Sequence, residues 1–144
     1  MKRCLFVLLL AGCGVPEGDD VPVRWFDYQT FVTDVQPVLA DRCGNPTCHG
    51  RPERPLSIYN QLAWRADPDR TYLLEQLDET ELRHNYTVSC VLSTEADEPA
   101  ATLFLRKSLG DLTDTYHGGG NVFEDDSERD YRALLAWLVE GWQP

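Results

Sequence analysis

Positive charge is scarce in this 144-residue chain: 13 Lys and Arg stand against 24 Asp and Glu, a formal net charge of −11. No basic cluster escapes that balance, so nucleic acid, a polyanion, is excluded as a partner. Methionine is scarcer still. Met1 is the only one, so no thioether sulfur is on hand once the first residues are removed. The apolar run Leu5–Leu10 is far shorter than the roughly 20 residues of a bilayer-spanning helix. Alternating apolar–polar strand patterns are nearly missing, which predicts an all-α fold. No Gly-x-Ser-x-Gly elbow, no His-Glu-x-x-His zinc helix and no phosphate loop occurs, so nothing marks the chain as an enzyme. The acidic run Glu124–Asp126 lacks the spaced oxygen ligands of a calcium loop and reads as a solvated cluster at a helix start. What remains is an ordinary globular composition, 42% hydrophobic and 26% charged, long enough for one core and too short for two.

The chain opens as an export signal. Lys2 and Arg3 precede the apolar run, and Leu10-Ala11-Gly12-Cys13 follows it. That ending resembles the lipobox of bacterial lipoproteins. The resemblance implies a signal over 1–12, lipidation of Cys13 and attachment to a membrane through the lipid anchor. Gly14 and Val15 follow Cys13, with no Asp beside it. This implies a cell-envelope protein of the outer membrane, facing the periplasm or the cell surface. Residues 13–25, rich in Gly, Pro and Asp, form a flexible tether, and the domain spans 26–144. Beyond Cys13 the exported chain keeps Cys43, Cys48 and Cys90. Three is an odd number for an oxidising compartment: pure disulfide pairing leaves one thiol over, a reason to look for another use of cysteine.

Within the domain, Phe31, Val35, Val38 and Leu39 recur at helical spacing over 27–42, with Asp27 as N-cap and Pro37 as a kink or break. A turn-rich segment, Cys43 to Gly50, follows. A short helix is expected over 56–66, and a turn or two over 68–77. Asp78 with Glu81 forms a capping signature before a helix carrying Leu82, Tyr86 and Val88 to Leu92. Residues 99–109 predict one helix stopped by Gly110. A loop centred on His117-Gly118-Gly119-Gly120 leads to the clearest element, a helix capped by Ser127 that carries Tyr131, Leu134, Leu135, Leu138 and Trp142.

Two cysteines with a histidine directly after the second suit covalent haem attachment: each thiol adds across one vinyl group, and the histidine reaches the iron. Phe31 to Leu39, Arg42-Cys43 and Cys48-His49-Gly50, together with Leu103–Leu109, His117-Gly118-Gly119 and Trp137 to Gly141, resemble an exported bacterial c-type cytochrome domain. Four residues separate the cysteines here, where the family usually has two. The resemblance implies a cytochrome c-like fold whose first and last helices close one side of a haem pocket. It implies one covalent haem c on Cys43 and Cys48, with His49 as axial ligand. Gly44, Asn45 and Pro46 are then expected to bulge outward. Such a domain passes single electrons to a redox partner protein, which would be basic against this acidic surface.

For the opposite axial position the nitrogen donors are His117, whose flanking glycines allow close approach to a flat ring, and His84, expected to be exposed on a polar helix face. Water or an open site is the remaining option. Other uses of the cysteines stay open. One disulfide among Cys43, Cys48 and Cys90 would give a haem-free, disulfide-stapled envelope lipoprotein with a binding or structural role. Zinc could sit on Cys43, Cys48, His49 and either Cys90 or His117.

Overall fold

The computed structural model describes residues 22–142. Residues 1–12, expected as an export signal, Cys13 and most of the expected tether lie outside the described residues. Among those described there is no strand, and the domain is all-α.

The first helix runs over 28–43. The Asp27 carboxylate caps it by accepting the Thr30 amide at 2.6 Å. The helical run continues through Pro37 without a gap. The α-helical pieces Tyr28–Thr30 and Gln36–Val38 alternate with π-helical ones, Phe31–Val35 and Leu39–Cys43. The Gln36 amide donates to the Phe31 carbonyl five residues back. Such a wide turn absorbs a proline that brings no N–H. At the far end Gly44 N–H likewise reaches the Leu39 carbonyl at 2.7 Å. That frees the Ala40 carbonyl, and the Asn60 amide takes it at 2.6 Å. A side chain on Gly44 would run into Asn60.

The expected helix over 56–66 does not form; this stretch is turns and bends. Its amides bond elsewhere: Ile58 N–H donates to His49 O, Tyr59 N–H to Asn85 Oδ1 and Leu62 N–H to Asn60 Oδ1. A backbone satisfied by tertiary and side-chain partners does not need a helical ladder. One 3₁₀ turn, Pro68–Arg70, follows. The middle helix, Glu79–Val91, begins with the expected capping box between Asp78 and Glu81. Its buried face is more polar than its leucines suggest, comprising Glu81, Asn85, Tyr86, Ser89 and Cys90. Residues 99–109 form two elements, a 3₁₀ turn at Pro99–Ala101 and a short helix, Leu103–Leu109. Thr102 lies extended between them and caps the second. Gly110 stops that helix at φ +46°, a conformation that favours glycine.

The last helix is Arg129–Gly141. It starts one residue later than a Ser127 cap requires, with Glu128 in the cap position and its side chain turned to Arg42 at 2.9 Å. Trp137 fastens it to the first helix. Its ring lies 4.8 Å from Phe26 and 5.5 Å from Phe31, and its indole N–H donates to the Asp27 carbonyl at 2.9 Å. Gly141 lets the two elements close, since a Cβ there would strike the Phe26 ring. Tyr131, Leu134 and Leu138 complete the buried stripe, as their spacing predicts. Trp142, expected with them, is half-buried against Phe26.

Under the middle helix lies a feature that periodicity does not reveal. Arg65 and Glu81, both side chains fully buried, form a bidentate pair at 2.8 Å for each bond. The carboxylate also accepts the amides of Ala66 at 2.9 Å and Asp78 at 3.0 Å. Burial alone would raise the Glu81 pKa, but these donors outweigh it and hold the carboxyl at about 2.

Candidate functional site

The turn after the first helix brings the cysteine–histidine segment together. Asn45, Pro46 and Thr47 bulge into solvent, while Gly44, expected among them, stays buried. Asn45 organises the bulge: its side chain accepts the Thr47 amide at 2.9 Å, and its carbonyl accepts the amides of Cys48 and Gly50 at 2.9 Å each. The loop then closes through His49 N–H on the Cys43 carbonyl at 3.1 Å. Four intervening residues therefore still return Cys48 and His49 to the side of Cys43. Gly50 is obligatory, because a Cβ there would overlap the Gly44 carbonyl.

His49 is half-buried, and its Nδ1 lies 2.6 Å from the Leu56 carbonyl. A carbonyl only accepts, so Nδ1 carries the proton and Nε2 is left as the free donor atom. Burial lowers the pKa of His49, against the Leu56 bond, and the charges of His117, Arg54 and Lys107 push the same way. The ring is therefore neutral at neutral pH, the form that ligates a metal. His117 repeats the arrangement. Its Nδ1 lies 2.7 Å from the Gly120 carbonyl, so its Nε2 is also free.

The two rings stand 6.0 Å apart, centre to centre, and within 7° of parallel. That is too far for ring contact.

Both histidines and Cys43 line a cleft walled mainly by Leu39, Leu56, Leu92, Leu103, Phe104 and Leu134. Its interior has about 160 Å³ of room for small molecules, within about 720 Å³ of open space once the mouth is counted. A second concavity of about 400 Å³ reaches the same place from outside, and Cys43, Cys48, His49 and His117 all line it. The four residues singled out in the sequence thus meet at one site. The donor set fits a haem: two thiols, two imidazole Nε2 atoms free of other bonds, and apolar walls. The interior room is the tight element of that fit, so the mouth would have to hold part of so large a ring.

Cys43, Cys48 and Cys90 are free thiols. Burial, reinforced by the neighbouring Cys48 and only partly countered by Arg42, pushes the Cys43 thiol up to about 12. It is therefore a thiol and not a thiolate. Among the described residues no three His, Cys, Asp or Glu side chains converge to hold an ion. Cys90 lies in the core beside Tyr86 and Phe26 and lines neither cavity. His84 stands apart from the site. Half-buried where exposure was expected, it bonds Ser57 through Nε2 at 3.0 Å and packs edge-on to Tyr59 and Trp64. Phe123 packs on Tyr131, and neither it nor Trp64 lines the cleft.

Arg42 is the site residue that sequence reading missed. Its guanidinium donates to the Val122 carbonyl at 3.1 Å and to Glu128 at 2.9 Å. It thereby ties the His117 loop to the helix that ends in Cys43. Its place directly before the first cysteine was the available signal.

Comparison with known protein families, curated proteins and solved structures finds no match to this chain. No helix among the described residues is long and apolar enough to cross a membrane.

Proposed function

We propose that the chain is an envelope lipoprotein, anchored through Cys13, whose domain is a cytochrome c-like single-electron carrier. One covalent haem c would be held by Cys43, Cys48, His49 and His117. The observation that carries this reading is the matched pair of histidines, each with Nδ1–H given to a backbone carbonyl and Nε2 left free, 6.0 Å apart beside the two thiols.

Haem, when bound, supplies reversible one-electron chemistry at iron. The chain's own residues prepare for it. The Leu56 and Gly120 carbonyls fix the tautomer and orientation of the two rings. Burial against the leucine-lined wall keeps His49 neutral. Two histidine ligands favour a lower reduction potential than a histidine–methionine pair. The net charge of −11 steers a basic redox partner. Nothing in the site calls for substrate turnover, and the reading is of a carrier and not an enzyme.

The test is expression in a host with haem-attachment machinery. A Soret band that survives acid–acetone extraction is the expected result. A colourless protein with an intact Cys43–Cys48 bridge by mass spectrometry overturns the reading and leaves a haem-free, disulfide-stapled lipoprotein.

A further inference from the structure

We propose that Lys107 is the positioning residue for the anionic edge of the cleft's ligand: its ammonium pairs with a carboxylate there and fixes which way round the ligand lies. That the carboxylate is one of haem's two rests on the haem reading; the carboxylate subsite is argued from the cleft itself.

The histidines divide the site into two ends. His49 and His117 line both the apolar cleft and the outer concavity, whereas Cys48 lines the outer concavity alone and Lys107 the cleft alone. A thiol and an ammonium therefore serve different ends of one site, with the two imidazoles between them. Haem is divided in the same way: the vinyl groups that take thiols are at one edge of the ring and the two carboxylates at another.

Lys107 is on the short helix Leu103–Leu109 beside Arg106. Arg106 turns away and donates to the Thr113 carbonyl at 3.3 Å. Lys107 lines the cleft and makes no salt bridge among the described residues. Apart from the imidazoles and Cys43 it is the one titratable side chain on that wall, and the neighbouring Ser108 hydroxyl is committed to the Leu105 carbonyl at 2.7 Å. No acid lines the cleft. Asp41 lines only the outer concavity, beside Arg42, which is held by Glu128. Arg54 adds to the same field: it adjoins Pro55 of the cleft wall, and its charge and that of Lys107 both push the His49 pKa down.

An exposed lysine elsewhere would simply be solvated. Here the cation stands at the rim of an apolar cleft with no acid to answer it, which suits a ligand with an apolar body and an anionic edge. The interior holds only about 160 Å³, so the edge of a large ring stays in the mouth. An ammonium on a flexible four-carbon stem can meet it there.

The experiment measures the reduction potential of haem-loaded protein spectroelectrochemically from about pH 4 to about pH 9. A carboxylate beside an ammonium ionises at lower pH than one without, and the potential falls as pH rises through that ionisation. Lys107→Met should move the fall upward by about one pH unit. Lys107→Arg, which keeps the charge, should hold it within about 0.3 unit of the parent, and so should Arg106→Met, which removes the same charge one residue away. An unmoved profile in haem-loaded Lys107→Met, or an equal move in Arg106→Met, would overturn the proposal and leave the haem reading standing. A colourless parent would remove the haem reading instead, and its cleft is then titrated with octanoate and octanol, followed by the His49 and His117 ring signals. Octanoate bound about fivefold tighter than octanol, with the preference lost in Lys107→Met, would retain the carboxylate subsite. Equal binding of the two, or none, would end it.

Discussion

Glu81→Gln takes one charge from an ion pair whose two side chains are both fully buried. The carboxylate accepts four bonds, two from Arg65 and one each from the Ala66 and Asp78 amides. The amide NH₂ of glutamine would meet donors where an acceptor is needed, and the Arg65 guanidinium would remain buried without a counter-charge. Breaking such a pair from one side costs about 3–5 kcal/mol. For a domain of this size that lowers the melting temperature by about 12–20 °C.

The pH dependence is an independent check on the same number. The Glu81 carboxyl is held at about 2, below its ordinary value of 4.5. A depression of that size is worth about 3 kcal/mol, fully present above pH 4.5 and lost as pH falls through 2. Urea unfolding followed by tryptophan fluorescence reads both effects. The parent should lose stability steeply below pH 4.5, and the variant should start lower and lose less. The double change Arg65→Met with Glu81→Leu should recover most of the loss, because no charge is then stranded. A Glu81→Gln variant within about 1 kcal/mol of the parent at pH 7, or with the same acid slope, would refute the reasoning.

The site and its frame give three further expected outcomes. His117→Ala should turn a low-spin haem spectrum towards high spin, while His84→Ala should leave it unchanged; an unaltered His117→Ala spectrum rejects His117 as ligand. Gly50→Ala should prevent stable folding of the 43–50 turn, because its Cβ meets backbone and not a yielding side chain; a variant melting within about 3 °C of the parent would contradict this. Arg42→Gln should release the His117 loop, speeding amide exchange at Val122 and Phe123 about tenfold, with little change at Trp137. Uniform change across the domain would mean that Arg42 supports the whole fold and not that loop.

Local features were the ones legible in advance. The Asp27 cap, the Asp78–Glu81 box, the Gly110 stop and the stripe on the last helix depend on neighbours within a few residues, and all are present. Cys43, Cys48 and His49 were legible as neighbours because they are close in sequence, and the glycines around His117 drew attention to the fourth residue of the same cavity. The 56–66 segment misleads because its amides bond to partners distant in the chain, which periodicity does not encode. The same blindness hid Arg65 and the polar inner face of the middle helix. Asn85 is the clearest case, joined to Gln36 at 2.9 Å and to the Tyr59 carbonyl at 3.0 Å. Ser127 was a reasonable cap by pattern, but Glu128 is drawn to Arg42, and the helix begins after it.

The widened turns of the first helix reach further than accommodating Pro37. In a regular helix each residue turns the chain by about 100°, and a π-turn holds one residue more than an α-turn. The stretch Leu39–Cys43 therefore rotates the downstream chain by roughly one residue's worth of phase. Leu39 and Cys43 share a wall of the same cleft. Shortening 31–43 by a single residue would leave the segment helical, yet it would swing the first sulfur off the side where the second sulfur and both rings wait.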